Sequence, residues 1–157
     1  MKVAVVQFGF KEVTRNFEQM GRDAKSIHRA LDLVVDAITE VEEAMFNSQG
    51  RRGGGSWRRV TQAWQRRKLR HGWDPRTGHA RHLLRKSVTY RGDPNMVVRI
   101  DPVQGTIIFG SRLPYASVQQ RNRPYLRFTI HDRRKFAKII INDLTEKFKR
   151  RARRRTV

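Results

Sequence analysis

The chain contains no cysteine, which excludes a disulfide framework, a thiolate metal site and a cysteine nucleophile, and leaves packing or assembly to hold it together. Acidic residues are scarce: 14 Asp and Glu stand against 35 Lys and Arg, a formal net charge of +21 over 157 residues. So cationic a surface repels itself unless polyanions or acidic proteins lie against it. No apolar run reaches the ~18 residues of a membrane helix. The opening "MKVAVVQFGF" has too short an apolar run for a signal peptide and no small-residue cleavage site. A protein made in the cytoplasm, with no membrane partner, is expected.

What is present is unevenly distributed. Residues 1–50 carry 6 basic and 8 acidic side chains, whereas residues 51–157 carry 29 basic and 6 acidic. That asymmetry suits either a nucleic-acid surface or a subunit face that docks on an oppositely charged neighbour. The length suits a single domain spanning 1–157, able to withdraw roughly 70% of its unfolded surface from water.

The hydrophobic pattern predicts an α+β fold: a small antiparallel sheet with a long N-terminal helix and a C-terminal helix. Valine and phenylalanine in the first ten residues, ending near Gly9, read as a strand. From Ile27 the residues Leu31, Val34, Ile38, Val41 and Met45 continue at alternating spacings of four and three, which predicts a helix over 22–47. A flexible basic loop is expected near 50–57, followed by a short helix "RRVTQAWQRRKL" with Val60, Trp64 and one of Trp57 or Leu69 on one side. "WDPRTG" is a turn and "HARHLLRKS" a short helical piece. Strands are then predicted at 88–91 ("VTYR"), 96–100 and 106–110, the last two joined by the hairpin loop "DPVQG". The last helix starts near Asp132, capped by Thr129 or Asp132, and buries Phe136, Ile140, Leu144 and Phe148. A basic tail over 149–157 is charged enough to stay solvated.

Chemistry-bearing groupings are poor. Gly53–Gly55 are followed by Ser56-Trp57 instead of the Lys-Ser/Thr of a phosphate loop. His79 and His82 lack a third ligand and sit among Arg81 and Arg85. Six carboxylates in the basic half, four of them turn or cap candidates, do not suit a two-metal nuclease. No catalytic residue, metal or cofactor is predicted, and an enzyme is not expected. Residues 51–91 hold thirteen Lys/Arg and one Asp with interleaved tryptophans, a composition that serves phosphate neutralisation and base stacking. The tryptophans also suit a core or a subunit contact, where Trp and Arg concentrate, and that reading is preferred to base stacking. No RNP pair, GXXG loop, zinc-finger spacing or helix-turn-helix is evident. A standalone basic nucleic-acid-binding protein is the alternative reading.

The stretch "FGSRLPYASVQQRNRPYLRFTIHDRRKFAKII" is more informative. A strand ending in Gly110-Ser111, a turn at Pro114-Tyr115-Ala116, a glutamine, and Arg123-Pro124-Tyr125-Leu126 leading into a helix resemble the tail-completion proteins of tailed bacteriophages, also described as virion-morphogenesis or putative tail-component proteins. Upstream, a long helix, "WRRVT" with Trp57 and Thr61, Lys68, and "LLRKSVT" are similar to the same family in the same order, from about residue 20 to 148. Only Gln120-Arg121-Asn122 separates the two halves of the signature, where the family has a glycine-containing loop.

The resemblance implies a structural virion protein that forms a ring, six-fold like tail tubes, at the neck between head and tail. Its expected partners are further copies, a head-connector or stopper protein, and tail-terminator or tail-tube proteins. Proximity to packaged DNA would be non-specific. Localisation would be the virion's head–tail junction, and the host cytoplasm during assembly. Interface residues expected from the sequence are Arg51, Arg52, Trp57, Arg58, Arg59, Tyr115, Arg123 and Tyr125, with the prolines making a rigid aromatic edge of the two tyrosines. The acidic end of the first helix, Asp36, Glu40, Glu42 and Glu43, is expected to receive Arg51, Arg52, Arg58 or Arg59 from its own loop or the next subunit, because negative charge at a helix C-terminus calls for a cation.

Overall fold

A computed structural model describes residues 4–9, 24–76 and 82–155, with side chains at 27–76, 82–147, 149 and 150. Three strands, β1 (Ala4–Gly9), β2 (Met96–Asp101) and β3 (Thr106–Ser111), form an antiparallel sheet in the order β1-β3-β2. Ser111 lies opposite Ala4 on one side and Met96 on the other. The helices are α1 (Ala24–Asn47), α2 (Gln62–Arg70), α3 (Leu83–Thr89), α4 (Ala116–Asn122) and α5 (Ile130–Arg155). The architecture is α+β, with α1 packed against α5 and, on another side, against α3 and the sheet.

The predicted stripe of α1 is buried throughout: Ile27, Leu31, Val34, Ile38, Val41 and Met45 all belong to one apolar cluster with Phe109, Phe136, Ile140 and Leu144. At ~25 cal/mol per Å² of apolar surface, each large side chain in it is worth about 1.5–3 kcal/mol. Phe148, expected on the same stripe of α5, lies outside the described side chains. The β2–β3 hairpin forms at the predicted place, and Asp101 closes its turn by accepting from the N–H groups of Val103 and Gln104 at 2.9 and 3.0 Å.

Two segments differ from expectation. Residues 88 and 89, read as the start of a strand, end α3, and 90–95 turn into β2. Val88 and Leu84 are four apart and both buried, and Thr89 Oγ1 returns its hydroxyl to the Arg85 carbonyl at 2.9 Å, so packing and local hydrogen bonding override β-branching. The second is Trp57, which is not on a helix. The helix begins after Thr61, whose hydroxyl caps it by accepting from Trp64 N–H at 3.4 Å.

The course of residues 48–57 is set by the end of α1. Gln49 and Gly50 adopt φ of 53° and 84°, and Gly50 N–H reaches the Met45 carbonyl at 3.0 Å, a left-handed helix stop. A Cβ on Gly50 would stand 2.6 Å from Trp57 Nε1, so only glycine fits this turn. A single 3₁₀ turn at Arg51–Gly53 follows, and Trp57 N–H closes the excursion onto the Gln49 carbonyl at 2.9 Å.

Candidate functional site

Signature residues far apart in sequence meet at one place beside the sheet. The Gln120 side chain accepts from the N–H groups of Tyr125 and Leu126 at 3.0 and 2.9 Å and donates to the Leu126 carbonyl at 3.2 Å. One amide therefore does the work of a missing strand partner for the Pro124–Leu126 segment. Tyr125 is 1% exposed, donates its phenol hydroxyl to the Ala116 carbonyl at 3.3 Å, and has its pKa raised by burial, with Glu42 adding to the rise. Ser111, closing β3, is 2.7 Å from the Ser87 hydroxyl of α3 and accepts from Leu113 N–H.

Trp57 joins this cluster from the other side. It is 8% exposed, meets Phe46 edge-on at 5.1 Å, and donates Nε1–H to the Pro124 carbonyl at 3.3 Å. Phe46 also meets the Tyr125 ring at 6.0 Å. Trp57 and Tyr125, expected at an interface, are thus core residues tying the end of α1 to the start of the last helix. The aromatic edge reduces to Tyr115, which is 41% exposed and whose pKa is raised by partial burial.

At the acidic end of α1, Asp36, Glu40 and Glu43 do not take their cations from the glycine loop. Glu40 pairs with Lys135 of α5 at 2.9 Å, Glu43 with Arg85 of α3 through Nε at 2.9 Å, and Asp36 with Arg91 at 3.1 Å, which also holds Asp32. Arg52 turns away to Asp132, which accepts a bidentate pair from its guanidinium. Asp132 also accepts from both the backbone N–H and the hydroxyl of Thr129, at 2.8 and 2.7 Å, while Thr129 Oγ1 accepts from Asp132 N–H. This reciprocal cap starts α5 and adds a carboxylate at the positive end of its dipole. Burial pushes the Asp132 carboxyl up, but the bonds from Arg52 and Thr129 outweigh it and hold it at about 2.

Glu42 is the residue that sequence reasoning misplaced most. It is fully buried, with neither carboxylate oxygen hydrogen-bonded. Burial drives its pKa well above the ordinary 4.5; nearby Arg52 opposes the rise and Asp132 adds to it. A neutral carboxylic acid is the form this surrounding favours. The signal was in the spacing: Glu42 stands four residues after Ile38 and four before Phe46, inside the apolar stripe.

The remaining expected residues line a surface depression. Arg58, Arg59 and Arg123 border a hollow of about 550 Å³ with Val60, Thr61 and Trp64. A second of about 230 Å³ continues from it past Trp64 to Leu84 and Tyr115. Arg51 and Arg59 edge a third, on the other side of residues 56–59. No carboxylate lines any of the three. Arg123 is fixed across the first hollow, donating Nε–H to the Arg58 carbonyl at 3.3 Å and a terminal N–H to Gln119 at 3.0 Å. Trp64, 37% exposed, has the Arg67 guanidinium 5.3 Å from its ring centre. Beneath, Lys68 is buried with its ammonium on the Arg76 carbonyl at 2.6 Å, and burial lowers its pKa.

His82 precedes α3 with a left-handed φ of 54°, and His79 lies outside the described residues. Among the described residues no three His, Asp or Glu side chains gather as a metal site, and no helix is long and apolar enough to cross a membrane. Family models, curated proteins and solved structures yield no match to this chain.

Proposed function

We propose that the chain is a structural subunit of the neck of a tailed phage, placed in a ring of six copies between the head connector and the tail tube and carrying no catalysis. The observation that supports this reading is the convergence described above. Among the positions on which the resemblance to tail-completion proteins rests, Ala116, Gln120, Tyr125 and Leu126 join one another by hydrogen bonds, and Ser111 ties the end of β3 to Ser87 and Leu113 beside them. Residues that hold one another in this way act as a structural unit, not as scattered coincidences of sequence. Ring closure requires heterologous contacts, one patch meeting a different one on the neighbour. The arginine-lined depression beside the buried unit, with Trp64 and Tyr115 at its wall, is a separate exposed patch, open to the unlike proteins that stack against such a ring.

Sedimentation and electron microscopy of the purified chain, alone and co-expressed with a connector and a tail-tube protein from the same phage, test the proposal. A six-fold ring, or its appearance on co-expression, is expected. The rival reading, a standalone nucleic-acid-binding protein, draws on the acid-free depression and the exposed Trp64. A persistent monomer that binds duplex DNA tightly, with affinity falling steeply as salt rises, would replace the neck reading with that one.

A further inference from the structure

The arginine depression needs an acidic counterpart, and the molecule's own carboxylates are committed elsewhere. Besides the pairs already described on α1 and at Asp132, Asp143 holds Arg29 and Lys147, Glu146 holds Lys149, and Asp74 holds Arg76. Asp93 and Asp101 each accept backbone N–H groups of their own turns, and Glu42 is sealed in the core. Glu12, Glu18 and Asp23 lie outside the described residues. A second copy therefore presents, among the described residues, no cluster of free acid to this face.

We infer that the depression bordered by Arg58, Arg59 and Arg123 receives an acidic segment of a different protein, seating an apolar or aromatic side chain in the hollow between Trp64 and Tyr115. The inference rests on the neck reading, in which unlike proteins stack against the ring. Three features favour a peptide over a nucleic-acid strand. Arg58, Arg59 and Arg123 border one hollow, where a single acid-bearing segment meets all three. Arg123 is held by two acceptors that aim its guanidinium across the hollow, the fixed fork that suits a carboxylate. The adjoining hollow is walled by Val60, Leu84, Trp64 and Tyr115, a setting for a side chain next to an acid in an anchor pocket.

The test compares two double variants of equal net charge: Arg58→Ala/Arg59→Ala in the depression and Arg133→Ala/Arg134→Ala on the exposed face of α5, all four side chains being exposed. Circular dichroism checks that both fold. The probes are a fluorescein-labelled octapeptide of alternating Glu and Phe, and an oligothymidylate of eight nucleotides. The depression variant is expected to weaken peptide binding about tenfold or more and the α5 variant about twofold or less, because localised and diffuse electrostatic contributions differ in this way. Equal weakening by both would show general attraction to a cationic surface and overturn the inference. So would oligothymidylate binding more tightly than the peptide and depending on the depression. Self-association is measured on the same samples by sedimentation. Its loss in the depression variant alone would make this face a contact between copies and again overturn the inference. Absence of a ring in every sample, with peptide binding localised as expected, would count against the neck reading only.

Discussion

The two sides of α1 use the same residue types to opposite ends. Toward α5 and α3, every acid of the helix that reaches the surface meets a cation from another element: Lys135, Arg85 or Arg91. Around residues 51–70 and 123, arginines stand together with no carboxylate among them, apart from Arg52, which is tied to Asp132. Charge on the first side fixes how helices lie against one another. On the second it is left over, and a cationic face with no acid lining its hollows is available to another molecule. Within a net charge of +21, the acids of α1 are matched and the arginines around these hollows are not.

The comparison can be broken most severely where the two sides are joined. Phe46→Ala removes the ring on which both Trp57 and Tyr125 pack, and a loss of about 3–5 kcal/mol is expected in urea unfolding. Asp132→Ala should cost about 2–4 kcal/mol, because it strips the cap from α5 and leaves Arg52 without its partner. The acid dependence has a definite sign. With a folded pKa of about 2 against an ordinary 3.8, the stability from Asp132 is complete above 3.8 and is lost as pH falls through 2. Melts of the wild type and Asp132→Ala should converge over that window.

Glu42 gives the opposite sign. Its carboxyl stays protonated in the folded chain after the unfolded chain, at 4.5, has ionised, so folding binds a proton and stability declines as pH climbs above 4.5. Glu42→Met should therefore raise stability at neutral pH by about 1–3 kcal/mol and flatten that decline, as seen by thermal melts across pH 4–8. The smallest effect belongs to the paired surface. Glu40→Lys with Glu43→Lys replaces exposed attractions by repulsions and should cost about 1 kcal/mol or less per pair, read by the same melts and reduced at high salt. A larger effect confined to ring assembly would restore these acids as a docking surface and erase the contrast between the two sides.

How far the molecule could be read from its sequence follows the same division. The stripe from Ile27 to Met45 and the repeat Phe136, Ile140, Leu144 announced the helix pair, because one buried face leaves a periodic trace. Thr129 and Asp132 announced the cap by their spacing. Val88 and Thr89 misled because β-branching is a weak preference that packing overrides. Tyr125 misled differently, because a large aromatic near prolines and arginines has the composition of an interface; Trp57 carried both readings, packing and contact. Only the three-dimensional meeting with Phe46 shows that both are core. The basic hollow was visible as an excess of arginine in 51–70, but Arg123 enters it from a distant segment through the Arg58 carbonyl, a contact no local pattern carries.

The pair of buried serines makes α3 depend on the rest of the fold. Ser87 spends its one hydroxyl hydrogen on the Leu84 carbonyl, so the hydrogen between the two serines must come from Ser111, which in turn accepts from Leu113 N–H. The relay runs one way, from the chain just after β3 into α3. A seven-residue helix is far below the ~12–15 residues that persist alone in water. Packing on α1 and on the hairpin is therefore what gives α3 its lifetime, and the amide hydrogens of α3 should exchange with solvent no more slowly than those of the strand that anchors it.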